Sequence, residues 1–443
     1  MVVSNAESTP ELAAALERLT RERTISRLFI FSDAVVAISA TLLITIVLKL
    51  SPPAAGESFW QALLGQGGLI YLIAFGLSFA LIMYFWRIHL AMTDGLRASS
   101  GTLITINCVW LGTIAFQPLP TYWFAASTRA DPREELSFYL VSMTAVGLVS
   151  LVQGRYLQRH PELFESPNPL RHGEWRFNVG VVGFLLVMTA VTLVIPLNAG
   201  LPVVLLGLFL INRARWLDRR RAGAAVGEAS HVHTQESVSR VLFFSDATVA
   251  IAVTLLMLPL LDLATPTSDQ SVVEALLSQR GPLLSFLLAF FLVTYQWRLH
   301  HRTLQGLQSY TPRLLTLNSW WLVAVVFLPL PTDWVGRDDT NPRVVAFMWV
   351  CQGVVGLLGL GLWYFLQRHP ELSGGKRDTS QTSAQAWLLV ALYCYMLVLA
   401  VVYSQASMNS DWTLAVVGLV VIAAVGNRLR RRQVADEPGA VGA

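Results

Sequence analysis

The sequence predicts an all-α membrane protein of twelve transmembrane helices, built as two parallel six-helix repeats. Composition, the spacing of apolar stretches and an internal duplication carry this expectation. Of 443 residues, 54% are hydrophobic and 14% charged, with a mean hydropathy of +0.53, whereas soluble domains carry about 25% charged residues. Twelve membrane helices of roughly 20 residues each would use about 240 residues, close to the apolar share of the chain. This composition argues against a soluble enzyme and for the lipid bilayer as the chain's surroundings. The formal net charge of +4 is small and scattered, which argues against a nucleic-acid partner.

The first twenty residues are polar, with Glu7, Glu11, Glu17 and Arg18, and lack the apolar core and small-residue cleavage site of a secretory signal; the N-terminus is expected to be retained. Apolar stretches follow at about 28–50, 66–92, 103–125, 137–157, 178–198 and 200–213. Six more lie at about 241–263, 282–299, 313–331, 345–366, 385–404 and 412–426. The sixth and twelfth are short for a span, since a run of about 14 apolar residues also suits a buried or re-entrant segment. Trp60, Trp123, Trp334 and Trp412 fall near span ends, as an interfacial aromatic belt would place them.

The duplication supports this count. FSDAVVAISATLL, starting at Phe31, recurs as FSDATVAIAVTLL, starting at Phe244. Trp86 and His89 recur as Trp297 and His300, Asn107 and Trp110 as Asn318 and Trp321, and LQRHPEL from Leu157 returns unchanged from Leu366. FQPLPT from Phe116 returns as FLPLPT from Phe327, and its prolines signal a helix end or kink. Asn212-Arg213 after the sixth stretch matches Asn427-Arg428 after the twelfth, so the two short stretches support each other as spans. The expected organisation is a cytoplasmic N-terminal segment (1–24), repeat one (25–214), a cytoplasmic linker (215–239), repeat two (240–428) and a cytoplasmic tail (429–443). Lys and Arg cluster before the first stretch and after every even-numbered one, while Glu57, Asp131, Glu134, Asp338 and Asp411 mark the other loops. The positive-inside rule then puts both termini in the cytoplasm. With six spans per repeat, the two halves run parallel.

Ionisable residues inside a bilayer are costly and are the first functional suspects. Asp33 and Asp246 each follow an arginine by six residues, Arg27 and Arg240, near the cytoplasmic end of the first helix of each repeat. His89, His300, Asn107 and Asn318 lie at the same level. These groups suit either a hydrogen-bonded structural lock or an ion or proton site in a conduction path. The first helix has neither Gly nor Pro from Ile25 to Ser51 and is expected to run unbroken. It offers a narrow, nearly uncharged face of Ala34, Ile38, Thr41 and Thr45, matched by Ala247, Ile251, Thr254 and Leu258. That face suits close helix packing. Equally, two chains would set four copies of it around an axis, with Ile and Thr rings at a constriction.

The remaining signals are weaker. LQRHPEL reads as a helix stop rather than a metal site, and His231 and His233 in the linker have no other ligand group in view. Cys108, Cys351 and Cys394 sit in apolar stretches and form no CxxC motif. No HExxH, GxSxG or Walker loop is present, and neither is a TVGYG filter. No catalytic, metal or cofactor site is expected.

The doubled motif of an arginine, three residues and Phe-Ser-Asp, with the Trp and His of the second helix and the Asn of the third, resembles the transmembrane protein 175 family of potassium channels over nearly the whole chain. The motif stands here as Arg27 with Phe31, Ser32 and Asp33, and as Arg240 with Phe244, Ser245 and Asp246. The resemblance implies a duplicated, twelve-helix form that pairs as a homodimer, with its pore on the first helix of each repeat. It implies a hydrophobic constriction at Ile38 and Ile251, further apolar layers at Leu42 and Leu255, or at Leu258, and potassium selectivity assisted by Thr41 and Thr254. It also implies that Arg27, Ser32, Asp33, Trp86, His89, Asn107 and their partners Arg240, Ser245, Asp246, Trp297, His300 and Asn318 form a structural network rather than a filter. Thr45 opposite Leu258 departs from four-fold equivalence. The expected function is therefore a potassium channel in the cytoplasmic membrane, whose only small-molecule partner is the permeant potassium ion. The competing readings are a proton- or cation-coupled secondary transporter built on Asp33 and Asp246, and a non-conducting membrane scaffold.

Overall fold

Eight of the expected apolar stretches coincide with helices long and apolar enough to cross a membrane, in a computed structural model of the chain. The structure describes residues 8–54, 56–65, 67–129, 131–164, 172–194, 235–262, 271–338, 340–373 and 391, 394, 395 and 398, with side chains from Thr24 onward in the first helix and from Asn178 in the helix after residue 171. Strands are absent among them, and Leu96 with Phe164 forms one isolated bridge. The expected sixth and twelfth spans, nearly all of the eleventh, the linker with His231 and His233, the C-terminal tail and Trp412 lie outside the described residues.

The first repeat comprises α1 (Ser8–Leu42), α2 (Ile44–Val47), α3 (Phe59–Leu64), α4 (Gly68–Thr93), α5 (Gly101–Ala115), α6 (Pro118–Ala125), α7 (Arg133–Arg159) and α8 (His172–Val194). The second comprises α9 (Gln235–Leu255), α10 (Val272–Ser278), α11 (Arg280–Leu304), α12 (Pro312–Phe327), α13 (Pro329–Arg337) and α14 (Pro342–Gln367). The same local chemistry sets boundaries in both. Ser100 caps α5 and Thr311 caps α12, each side chain accepting the backbone N–H three residues on. Gly95 and Gly306, with φ of 78° and 80°, supply the left-handed turn after α4 and α11. FQPLPT and FLPLPT split the third span in both copies, because a proline at the first helical position has no N–H to continue the ladder. The Gln117 side chain then donates to the carbonyl of Thr113 at 2.9 Å.

LQRHPEL ends α7 and α14 in short 3₁₀ turns at Pro161–Leu163 and Pro370–Ser373. The Leu163 carbonyl accepts the Arg97 N–H at 2.8 Å, and the Leu372 carbonyl accepts the Gln308 N–H at 2.8 Å. His160 faces Glu162, and His369 faces Glu371. A backbone hydrogen bond first, and the histidine second, hold both carboxyls below their usual range.

Contrary to expectation, the first helix is not regular throughout. The α-helix is interrupted at Leu43 before it resumes over Ile44–Val47, and Ile46 N–H returns to Leu43 O in a tighter turn. In the second repeat it stops at Leu255, ahead of a 3₁₀ turn at Leu258–Asp262. Threonine hydroxyls compete for the local carbonyls: Thr41 Oγ1 donates to Ala37 O and Ile38 O, Thr45 Oγ1 to Leu42 O, and Thr254 Oγ1 to Ile251 O.

Contacts divide the chain into two compact units, one of residues 1–46 and 70–244, the other of residues 47–69 and 245–443. In the first, Ile25, Phe29, Met92, Leu96, Leu103, Leu157, Leu163 and Phe164 form an apolar cluster, and α7 lies so close to α8 that a Cβ at Gly147 would stand 2.6 Å from Val182 Cγ2. In the second, Trp334 is fully buried, donates to the Leu50 carbonyl at 3.0 Å and meets Phe59 and Phe347. It is therefore a core residue and not part of an interfacial belt, because its N–H finds a protein acceptor. Trp60 and Trp123 stay exposed.

Candidate functional site

The first unit brings Asp33 together with Trp86, His89, Asn107, Ser32 and Arg240. Asp33 has no exposed surface. Its Oδ1 accepts Trp86 Nε1 at 3.0 Å and Arg240 Nη2 at 2.9 Å, and its Oδ2 accepts Arg240 Nε at 2.9 Å. Such a bidentate, charge-assisted pair is among the stronger hydrogen-bonded contacts. Arg240 also donates to Thr93 Oγ1 at 2.6 Å, and its guanidinium lies 4.2 Å from the centre of the Phe29 ring. Phe244, one turn on, stacks on Trp86 with ring centres 4.0 Å apart.

The neighbouring hydrogen bonds order themselves. Ser32 Oγ donates to Leu28 O at 2.8 Å and accepts from Asn107 Nδ2 at 2.8 Å. That leaves Asn107 Oδ1 as an acceptor, so His89 Nε2 carries the proton and donates to it at 2.8 Å. His89 Nδ1 is then bare and accepts from Arg240 Nη2 at 3.3 Å. The tautomer follows from this network. Trp110 stacks on the His89 ring at 4.4 Å and donates to Ser150 Oγ at 2.9 Å.

The second unit repeats most of this arrangement. Asn318 Nδ2 donates to Ser245 Oγ at 2.8 Å, His300 meets Asn318 Oδ1 at 2.8 Å, and Trp321 stacks on His300 at 3.8 Å. Trp297 Nε1 donates to Asp246 Oδ1 at 2.7 Å. The difference lies at the carboxylate. Asp246 is 39% exposed and pairs with no arginine among the described residues; the nearest ionisable group is His301, 3.8 Å from Oδ2. Arg27 is exposed and holds no hydrogen bond or ion pair among the described residues. The arginine on Asp33 thus comes from 207 residues away in sequence, not from the nearby Arg27. Spacing alone gave no signal of this, because both arginines stand six residues before an aspartate.

The uncharged face of the first helix is also placed differently in its two copies. Ile38 is 44% exposed and Leu42 is exposed, whereas Thr41 is fully buried. On α9, Ile251 is half-buried, Thr254 is exposed and Leu255 is buried. Thr45 and Leu258 are both half-buried. Exposed carbon chains and threonine hydroxyls therefore line these faces, and no carboxylate does. Among the described residues no group of three or more His, Cys, Asp or Glu is arranged to hold a metal.

A protein-family description, "Endosomal/lysosomal potassium channel TMEM175", matches the chain twice, at residues 27–118 and 240–329. These two segments hold both Phe-Ser-Asp motifs and their Trp, His and Asn partners. A human protein named as an endosomal/lysosomal proton channel, TMEM175, is 27% identical over 72% of this chain and 67% of its own length. A potassium channel of Streptomyces collinus is 28% identical over 33% of this chain and 72% of its own length. The bovine protein named as an endosomal/lysosomal proton channel is 32% identical, but the match spans 31% of this chain and 29% of that relative.

Proposed function

We propose that this chain, which matches the TMEM175 family description twice and is similar to relatives named as channels, conducts potassium through a dimeric pore in the cytoplasmic membrane. The pore is lined by α1 and α9 of two chains. Ile38, Leu42 and Ile251 form an apolar constriction that controls passage by excluding water, with Leu255 packed behind it. The Thr254 hydroxyl supplies an oxygen to a partly dehydrated cation, and Thr41 stands behind the same face with its hydroxyl turned onto its own helix.

The observation that carries this reading is the sequestration of Asp33. A carrier needs its membrane carboxylate available for a coupled ion, and Asp33 is buried under a bidentate guanidinium and an indole N–H. Beyond Arg27, what is exposed on α1 is apolar: Ile30, Phe31, Ile38 and Leu42. The potassium channel named in Streptomyces supports the choice of ion. A second reading, proton conduction, has its own support: Asp246 is 39% exposed beside His301, and the human relative is named a proton channel.

Purified full-length chain in liposomes should pass potassium down a gradient in preference to sodium and show unitary current steps. Flux of protons alone under the same gradients would favour the second reading. Saturable flux at a fixed ion stoichiometry would favour a carrier, and absence of flux a scaffold.

A further inference from the structure

In the second unit, the end of α9, the start of α11 and α13 surround a cavity of about 270 Å³. It lies where these spans leave the membrane, on the side that the charge pattern predicts to be outer. Leu256, Pro259 and Leu260 after α9 and Pro282 and Phe286 on α11 give it apolar walls. Ser285, Thr332, Asp333 and Arg337 also line it, and the first three are only 2%, 2% and 3% exposed. Ser285 Oγ donates its proton to Pro282 O at 2.9 Å, and Thr332 Oγ1 donates to Leu328 O at 2.8 Å. Both hydroxyls therefore offer lone pairs and no further donor. Asp333 Oδ1 accepts Arg337 Nε at 2.9 Å; a carboxylate accepts up to about four hydrogen bonds, so this contact does not exhaust it. Arg337 is 45% exposed and keeps its terminal amino groups as donors. The first repeat has no such lining: Tyr71 aligns with Pro282, Ala74 with Ser285, Tyr122 with Asp333 and Ala126 with Arg337. Support of the shared fold therefore does not account for these polar groups.

We propose that this cavity holds the headgroup of an aminophospholipid of the outer leaflet, with its primary ammonium on Asp333, Ser285 and Thr332 and its phosphate on Arg337. The three acceptors match the three N–H donors of a primary ammonium; a quaternary ammonium has none to give. Charge selects a zwitterion. Asp333 and Arg337 already balance one another, so a simple amine would leave one uncompensated positive charge among apolar walls, whereas an ammonium that brings its own phosphate adds no net charge. Depth selects a lipid, because span ends lie at the level of the headgroups and the apolar walls suit the chains that follow. A headgroup seated there braces the 3₁₀ turn at Leu258–Asp262 against α11 and α13. The residues involved are not those of the apolar pore face, and binding does not depend on which ion passes.

The test titrates delipidated full-length protein in detergent with phosphatidylethanolamine, with phosphatidylcholine and with phosphatidylglycerol of the same acyl chains, and counts bound lipid by native mass. Phosphatidylethanolamine should bind about tenfold or more tighter than either of the others. Ser285→Ala, which installs the residue of the first repeat, and Arg337→Ala should each reduce that preference severalfold, and Tyr122→Phe at the matching place in the first repeat should leave it unchanged. Melting in detergent with and without phosphatidylethanolamine supplies a second readout: the lipid should raise the midpoint of the unaltered protein and raise that of Ser285→Ala less. Equal binding of the three lipids, or a full preference retained by folded Ser285→Ala and Arg337→Ala, overturns the site. Free phosphoethanolamine that binds as tightly as the lipid overturns the lipid as its source. None of these outcomes bears on whether the chain conducts potassium, which the flux measurement decides separately.

Discussion

Removing the charge of Asp33 leaves the Arg240 guanidinium buried at 4% exposure with no carboxylate to balance it. Breaking a buried pair from one side costs about 3 to 5 kcal/mol, so Asp33→Asn should lower thermal stability in detergent by a similar amount at any protein concentration. At Asp246 the carboxylate is 39% exposed and an asparagine keeps an oxygen for Trp297. Its loss therefore falls in the range of an exposed pair, about 1 kcal/mol or less. Melting curves in detergent distinguish the two substitutions; equal losses would contradict this assignment. The same asymmetry applies to the threonines. Thr254 is exposed and Thr41 is fully buried, so Thr254→Val should reduce potassium preference in reconstituted flux more than Thr41→Val. The opposite order would take Thr254 out of the ion path.

Among the elements, the helices of the third and fourth spans show what the sequence makes legible and what it hides. The break of the third span and the end of the fourth were readable, because the prolines of FQPLPT, FLPLPT and LQRHPEL act through their own backbones; the caps at Ser100 and Thr311 were not singled out. Nor was the break after Leu42. It depends on hydroxyls of Thr41 and Thr45 returning to local carbonyls, a choice that threonine makes in some helices and not in others. Trp334 was misjudged for a related reason: its place near a span end suits an interface, and only the fold brings the Leu50 carbonyl to its N–H. Tight helix crossings are equally silent in sequence. Gly147 and Gly76 are both glycines in apolar helices, yet a Cβ would stand 2.6 Å from Val182 Cγ2 at Gly147 and meet nothing within 4 Å at Gly76. Gly147→Ala should therefore cost about 1 to 3 kcal/mol by overpacking, while Gly76→Ala should be neutral or slightly stabilising, since alanine is the better helix former. Detergent melting of the two variants checks this, and equal losses would argue against a close α7–α8 contact.

At the scale of the whole molecule, the duplication makes orientation a question of parity. An even number of spans per repeat returns the chain to the side it started from, so equivalent loops of the two halves face the same compartment; an odd number inverts them. Eight spans are described, and the charge pattern supplies the expectation for the rest. Lys and Arg gather in the linker and tail, whereas the loops holding Asp131 and Asp338 are acidic, so the positive-inside rule predicts those two loops outside and the linker inside. Asp131 is exposed and Asp338 half-exposed, so a cysteine at either site is open to reagents. In a cysteine-free background, Asp131→Cys and Asp338→Cys should both react with an impermeant thiol reagent on intact cells, and Ala225→Cys in the linker should react only after the cells are opened. Reaction of Asp131→Cys and Asp338→Cys from opposite sides would mean inverted repeats. The first helices would then run antiparallel, and no two-fold axis along the membrane normal could gather four of them with their Phe-Ser-Asp ends at one level. Reaction of the linker on intact cells, with both loops protected, would keep the parallel repeats and reverse the channel in the membrane.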